Sequence, residues 1–123
     1  MIDIPPFQKD AGFAVPKAYH RVLALGLTNL EPWRFLSGAS DFAQHYDMVR
    51  QLYPDKQYIP FARREDNDDI ACFLGANSGT IAVVHAFASP GYQVGSGIYT
   101  TFWDWFRLAI DEMIAASRDI GTM

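Results

Sequence analysis

The densest charge in the chain lies in seven consecutive residues, Arg63-Arg64-Glu65-Asp66-Asn67-Asp68-Asp69. Clustered carboxylates can hold a divalent cation or share acid–base work. A calcium loop of EF-hand type beginning at Asp66 needs glycine at its sixth position and glutamate at its twelfth. Those positions hold Ala71 and Asn77. Acid–base catalysis needs a set separation between two carboxyl groups, which adjacency in a turn does not supply. No metal ligand is therefore assigned. The charged run reads either as a solvated turn or as one edge of a protein-binding surface formed by Arg63, Arg64, Glu65, Asp66, Asp68 and Asp69.

The other reactive side chains are scattered. Cys72 stands between Ala71 and Phe73 in an apolar run. A nucleophilic cysteine needs its thiolate, which such surroundings disfavour, so Cys72 reads as buried and inert. His20 falls on the polar face of one predicted helix and His45 borders another. His85 is in phase with Ile81 and Val83, and reads as a hydrogen-bonded core histidine rather than a base. No HExxH or comparable ligand spacing occurs. Gly91, Gly95 and Gly97 lack the lysine and spacing of a phosphate loop, and Ser96 lacks a G-x-S-x-G frame. No catalytic residue and no cofactor is expected. Two tryptophans, Trp33 and Trp105, are expected to be partly exposed and to serve as interface anchors.

The elements that position these residues follow from periodicity. Ile59 and Phe61 share one face of an extended segment, and Ile70, Cys72 and Leu74 share one face of the next. With the charged run between them, Tyr58–Phe73 predicts a hairpin whose arms pack and whose tip stays in water. Pro16–Leu25 predicts a helix ended by Gly26, with Val15, Tyr19 and Val22 on its inner face. Thr28–Glu31 reads as a turn and Trp33–Leu36 as a short apolar segment of strand character. Ser40 is the expected N-cap of a helix with the stripe Phe42, Tyr46, Val49 and Tyr53, an outer face of Asp47, Met48 and Gln51, and a stop at Pro54. After a turn over Gly75–Gly79, Thr80–Phe87 is β-branched and apolar on both faces, the pattern of a central strand. Tyr92–Tyr99 is an edge strand or a loop. Thr100 or Thr101 caps a long closing helix whose inner face is Phe102, Phe106, Ala109 and Met113. Its outer face is Asp104, Arg107, Asp111 and Arg118, with Arg107 and Asp111 spaced to pair.

A chain of 123 residues, half of them apolar, is the size of a single domain with its own core. Met1–Ala14 reads as an extended lead-in. One cysteine excludes an internal disulfide, and neither a signal peptide nor a membrane-spanning run is evident. A soluble cytoplasmic protein is expected. The net charge of −4, with the longest like-charge cluster acidic, argues against nucleic acid as a direct ligand. It is compatible with a basic protein partner, and a homo-oligomer stays open.

Ile59-Pro60-Phe61-Ala62, an acidic turn and then Cys72-Phe73 together resemble the middle motif of the SUKH superfamily of Smi/Knr-like domains. Val15-Pro16-Lys17-Ala18-Tyr19 with Leu23 is similar to the earlier proline–tyrosine helix of that superfamily. Val83–Phe87 and the Phe102–Ile110 helix match its late strand and closing helix. The resemblance spans roughly Val15–Ile114. This chain has Gly26-Leu27-Thr28-Asn29 where many members carry Gly-Gly, and Asn67-Asp68-Asp69 where Gly-Gly-Asp is usual. The resemblance implies an α+β fold, helices packed on an antiparallel or mixed sheet. It also implies a non-enzymatic role: bacterial members are immunity proteins that bind and neutralise polymorphic toxins, many of them nucleases, and fungal relatives are scaffolds in cell-wall synthesis. The alternatives left open are a scaffold without a toxin, with binding through Trp33 and Trp105, and a small-ligand domain built on Cys72, His85 and the Gly91–Gly97 loop.

Overall fold

Alternation along the hairpin arms continues into the strands on either side, and the resulting sheet is covered on both faces. The structure, a computed structural model, describes residues 15–75, 77–85 and 97–119. In chain order the elements are α1 (Lys17–Ala24), β1 (Asn29–Leu30), β2 (Trp33–Phe35), α2 (Ala39–Leu52), β3 (Tyr58–Arg64), β4 (Asp69–Leu74), β5 (Asn77–His85), β6 (Ile98–Tyr99) and α3 (Phe102–Asp119). The six strands lie side by side in sequence order, every neighbouring pair antiparallel. The fold is α+β, with a long C-terminal helix. No helix among the described residues is long and apolar enough to cross a membrane.

Residues of one parity point to α1 and α3. Ile59, Phe61, Ala71, Phe73 and Ile81 pack there with Tyr19, Val22, Phe102, Trp105, Phe106 and Ala109. Residues of the other parity, Tyr58, Ile70, Cys72, Ala82 and Val84, pack under Val49 and Tyr53 at the end of α2. This is why the middle strands are apolar on both faces. The first layer is largely aromatic. Phe61 stacks on Phe73 with centroids 4.3 Å apart, and meets Trp105 edge-on at 5.0 Å and Tyr19 at 5.8 Å. Offset and edge-to-face contacts of this kind add to the area that the rings remove from water.

The local signals account for most element boundaries. Gly26 adopts φ +71°, Leu27 N–H donates to Val22 O and Gly26 N–H to Leu23 O, a Schellman ending for α1. Thr101 Oγ accepts from the Asp104 N–H at 3.1 Å and caps α3. At α2 the cap differs from expectation. Gly38, at φ +85°, precedes the helix, and Ser40 lies inside it. The reach-back is made by Asp41, whose carboxylate accepts from the Ser37 N–H at 2.9 Å.

Other differences have simple causes. Thr28–Glu31 contains β1 rather than a turn alone, because Asn29 and Leu30 pair with Arg34 and Trp33. The strongest apolar strand begins at Asn77 and is fifth of six in the sheet. It is flanked by β4 along most of its length and by β6 only at Ile81 and Ala82. Its expected end at Phe87, Gly91, Gly95, the lead-in Met1–Ala14 and the side chains of His85 and Arg118 lie outside the described residues. Met48 is half-buried against the α2 layer, not outward. Arg107 meets Asp104, three residues back at 3.5 Å, instead of Asp111. That exposed pair carries little energy.

Pairing in β3–β4 slips by one residue between Pro60 and Ala62. Phe61 is the extra residue, so Phe61 and Ala62 both contribute to the α1/α3 layer. Phe61→Ala is expected to lower unfolding free energy by about 3–5 kcal/mol in urea denaturation, as large aromatic truncations in closed cores do. A loss under about 1 kcal/mol would show that the layer collapses readily around the site.

Candidate charged interface at the end of the sheet

The bulge reverses side-chain parity for the rest of β3. Arg63 consequently lies on the α2 side, in register with Arg34 and Ile70, and Arg64 lies on the α3 side, in register with Trp33. The two neighbouring arginines are thus sent to opposite faces of the sheet end.

On the α2 side, Arg34 donates to Asp41 at 2.9 Å and reaches Glu65 at 3.6 Å. Arg63 is paired with Asp68 and also donates to His45 Nε2 at 3.4 Å. A guanidinium has no acceptor, so Nε2 must accept and His45 carries its proton on Nδ1. That Nδ1–H donates to the Asp41 carbonyl at 2.8 Å. His45 is 2% exposed, the one buried polar residue among those described, where sequence reading put it only at a helix border. Burial pushes the Asp41 carboxyl up. The Ser37 N–H and then Arg34 outweigh that and hold it below its ordinary range.

On the α3 side, Arg64 grips Asp66 through two N–H groups at 2.6 and 3.1 Å and is also paired with Glu112. The other oxygen of Glu112 accepts from the Trp33 indole N–H at 2.8 Å. Glu112 therefore ties α3 to both β2 and β3. Hydrogen bonding to Asp66 is the main cause that keeps Arg64 more firmly protonated than usual, with Glu112 adding to it. Burial first, then the charges of Glu112 and Asp69, push the Tyr99 phenol up, which puts β6 beside the same cluster.

The tip itself is a tight turn. Asp68 takes φ +62° with its N–H donating to the Arg64 carbonyl at 3.0 Å, and the Asn67 side chain accepts from the Asp69 N–H at 3.0 Å. Aspartate and asparagine tolerate this left-handed geometry better than most residues. Glu65 N–H donates to the Pro32 carbonyl at 2.9 Å and anchors the tip to the β1–β2 turn.

Arg63, Arg64, Glu65, Asp66 and Asp68 are thus brought together in one network, with Asp69 at its margin. The tip is not a bare acidic loop. Three arginines (Arg34, Arg63, Arg64) face six carboxylates (Asp41, Glu65, Asp66, Asp68, Asp69, Glu112), a balance of −3 with His45 neutral. Trp33 and Trp105 require correction. They are 1% and 0% exposed, and their rings meet edge-on at 5.2 Å. Trp105 is three residues from Phe102 and Trp33 is bound by Glu112, so neither is a surface anchor. The tryptophan that does reach solvent is Trp103, 41% exposed. Cys72 is fully buried and burial pushes its thiol well up. Among the described residues no three His, Cys, Asp or Glu side chains converge on a point that a metal could occupy. Compared with protein-family models, curated proteins and solved structures, the chain matches none.

Removing Glu112 orphans two donors at once. Glu112→Ala is expected to cost about 1–3 kcal/mol, and Glu112→Gln, which keeps an acceptor for Trp33, distinctly less. Equal losses in paired urea titrations would mean that the Trp33 bond contributes nothing. Asp41 supplies a pH signature. Its carboxyl is lowered in the folded state, so its stabilisation is present above the unfolded value of about 3.9 and fades as pH falls through the lower folded value. The stability gap between the parent chain and Asp41→Asn should therefore narrow below pH of about 4. A gap that is constant with pH would exclude the ionised-pair role.

Proposed function

We propose that the chain is a non-catalytic protein-binding module, most specifically an immunity protein that occludes a basic face of a cognate toxin. The observation that carries this reading is the excess of fixed carboxylates at one end of the sheet. Asp41, Asp66, Asp68 and Glu112 are held by ion pairs to Arg34, Arg63 and Arg64, with backbone anchors at Ser37 and Pro32, while Glu65 lies 3.6 Å from Arg34 and reaches solvent. A preorganised acidic surface loses little side-chain entropy on docking, and it steers a basic partner toward itself. A toxin acting on nucleic acid carries basic groups around its active site, and carboxylates can occupy the positions of phosphates there. The resemblance of Ile59–Ala62 and Cys72-Phe73 to the SUKH middle motif points the same way. The scaffold alternative loses its proposed surface, because Trp33 and Trp105 are core residues.

The direct experiment is co-expression with the product of the adjacent upstream gene. The expected result is suppression of that product's toxicity and recovery of a stable complex. An upstream product that is neither toxic nor bound would overturn the immunity reading. The electrostatic part has its own test. Glu65 and Asp66 are the most exposed acids of the network, with side chains 55% and 52% exposed. Glu65→Lys with Asp66→Lys is expected to slow association about tenfold or more at low salt, and the deficit should shrink as salt rises. An unchanged association rate at low salt would remove the acidic end from the interface.

A further inference from the structure

The opposite end of α2 and β3 carries a different chemistry. Between them lies a groove of about 260 Å³, with Tyr46, Arg50, Lys56, Gln57 and Tyr58 among its walls. No carboxylate lines it. Arg34, Arg63, Arg64 and Arg107 each sit against an acid, whereas Arg50 and Lys56, like Lys17 and Arg21 of α1, form no ion pair among the described residues.

These walls are held in place. Arg50 donates to the Tyr46 hydroxyl at 3.2 Å, and its guanidinium carbon lies 5.6 Å from the Tyr46 ring centroid. Tyr58 packs edge-on against Tyr53 at 5.4 Å. The turn that carries Lys56 is tied down by the Gly75 N–H, which donates to the Gln57 carbonyl at 2.7 Å, and by the Lys56 N–H, which donates to the Tyr53 carbonyl at 3.1 Å. Gly75 is required there, since a Cβ at that position would come within 2.7 Å of the Gln57 Cβ.

We propose that this groove binds a phosphate monoester borne on an aromatic ring. Two cations, one a planar fork and one a mobile point charge, match a head group of nearly two negative charges. Tyr46, half-buried and with Arg50 over one face, offers its remaining ring surface to an aromatic body, next to the largely buried Tyr58 at the groove wall, and the volume accommodates one ring with its head group. The site is separate from the acidic end. Aspartate and arginine at α2 positions 41 and 50 are nine residues apart, about 14 Å by helical rise. The binding therefore does not depend on whether a protein partner docks at the tip.

The test is a titration of ¹⁵N-labelled protein with phenyl phosphate, followed by amide shifts. Saturable shifts are expected at Tyr46, Arg50, Lys56, Gln57 and Tyr58. Arg50→Gln with Lys56→Gln should weaken binding at least about tenfold, and benzoate and inorganic phosphate should each bind several-fold more weakly than phenyl phosphate. Lys56→Gln alone, at an exposed turn position, keeps the test readable if Arg50 is needed by the last turn of α2. It should weaken binding while the remaining amide spectrum stays unchanged. Absence of saturation at millimolar phenyl phosphate, shifts mapping elsewhere, unaltered affinity in the variants, or benzoate binding as tightly would each overturn the proposal.

Discussion

One extra residue in β3 sets the relation between core and surface in this protein. Up to Pro60 the strand alternates regularly between the two helical layers. The bulge at Phe61 then gives two successive side chains, Phe61 and Ala62, to the α1/α3 layer and reverses the alternation beyond. The aromatic layer gains its central ring, stacked on Phe73 and edge-on to Trp105. The charged residues gain their partners. Arg63 faces His45 and Asp68, and Arg64 faces Glu112 and Asp66. Without the slip, Arg63 would point at the base of α3 and Arg64 at the N-terminal turn of α2, away from the acids that now hold them. Packing and electrostatics are therefore coupled through the backbone, because both depend on the same register.

That coupling explains what could be read in the sequence. The hairpin was legible because apolar alternation and a charged run cannot share one environment. The ends of α1 and α3 were legible from Gly26 and the Thr100-Thr101 pair, and the fold class followed from the order of elements. The bulge left only one mark, Pro60, which cannot donate to a ladder and so signals an irregular or edge position without saying which. Glu112 was missed for a related reason. It flanks the inner face of α3, and its partners Trp33 and Arg64 are 79 and 48 residues away in the chain. His45 reads only as a helix-border residue in the sequence, because its burial depends on the Asp41 carbonyl and on Arg63, which is positioned by the bulge. Trp33 and Trp105 read as partly exposed because helical and strand periodicity give a direction but not the depth of the layer that covers it. Each tryptophan covers part of the other, and Phe35, Phe61, Phe102 and Phe106 pack on Trp105 as well.

The charge cluster also has a structural logic independent of any partner. Half-buried arginines at a sheet end would be costly alone, because a charge removed from water needs a counter-charge and hydrogen bonds. Each of the three has a carboxylate, and two of them have a second. The surplus acids are the part that stability does not require. Glu65 lies only at 3.6 Å from Arg34, a distance at which the pair is weak, and its side chain is more than half exposed. A network that merely neutralised its arginines would not need it. The surplus is therefore the component most available for recognition, while the inner pairs keep the surface in shape.

The two ends of the α2–β3 layer then divide the labour of the surface. At the tip, the arginines are consumed internally and negative charge is left over. At the start of β3, Arg50 and Lys56 are left over and no acid lines the groove between them. Helix polarity accentuates the arrangement in the ordinary way, with Asp41 in the first turn of α2 and Arg50 in the last. The net charge of −4 hides this separation, since it reports a sum and not a distribution. Composition argues against an anionic ligand for the molecule as a whole. It cannot argue against one at a groove whose cations are unmatched locally, because contact electrostatics within a few ångströms outweigh the screened field of distant acids.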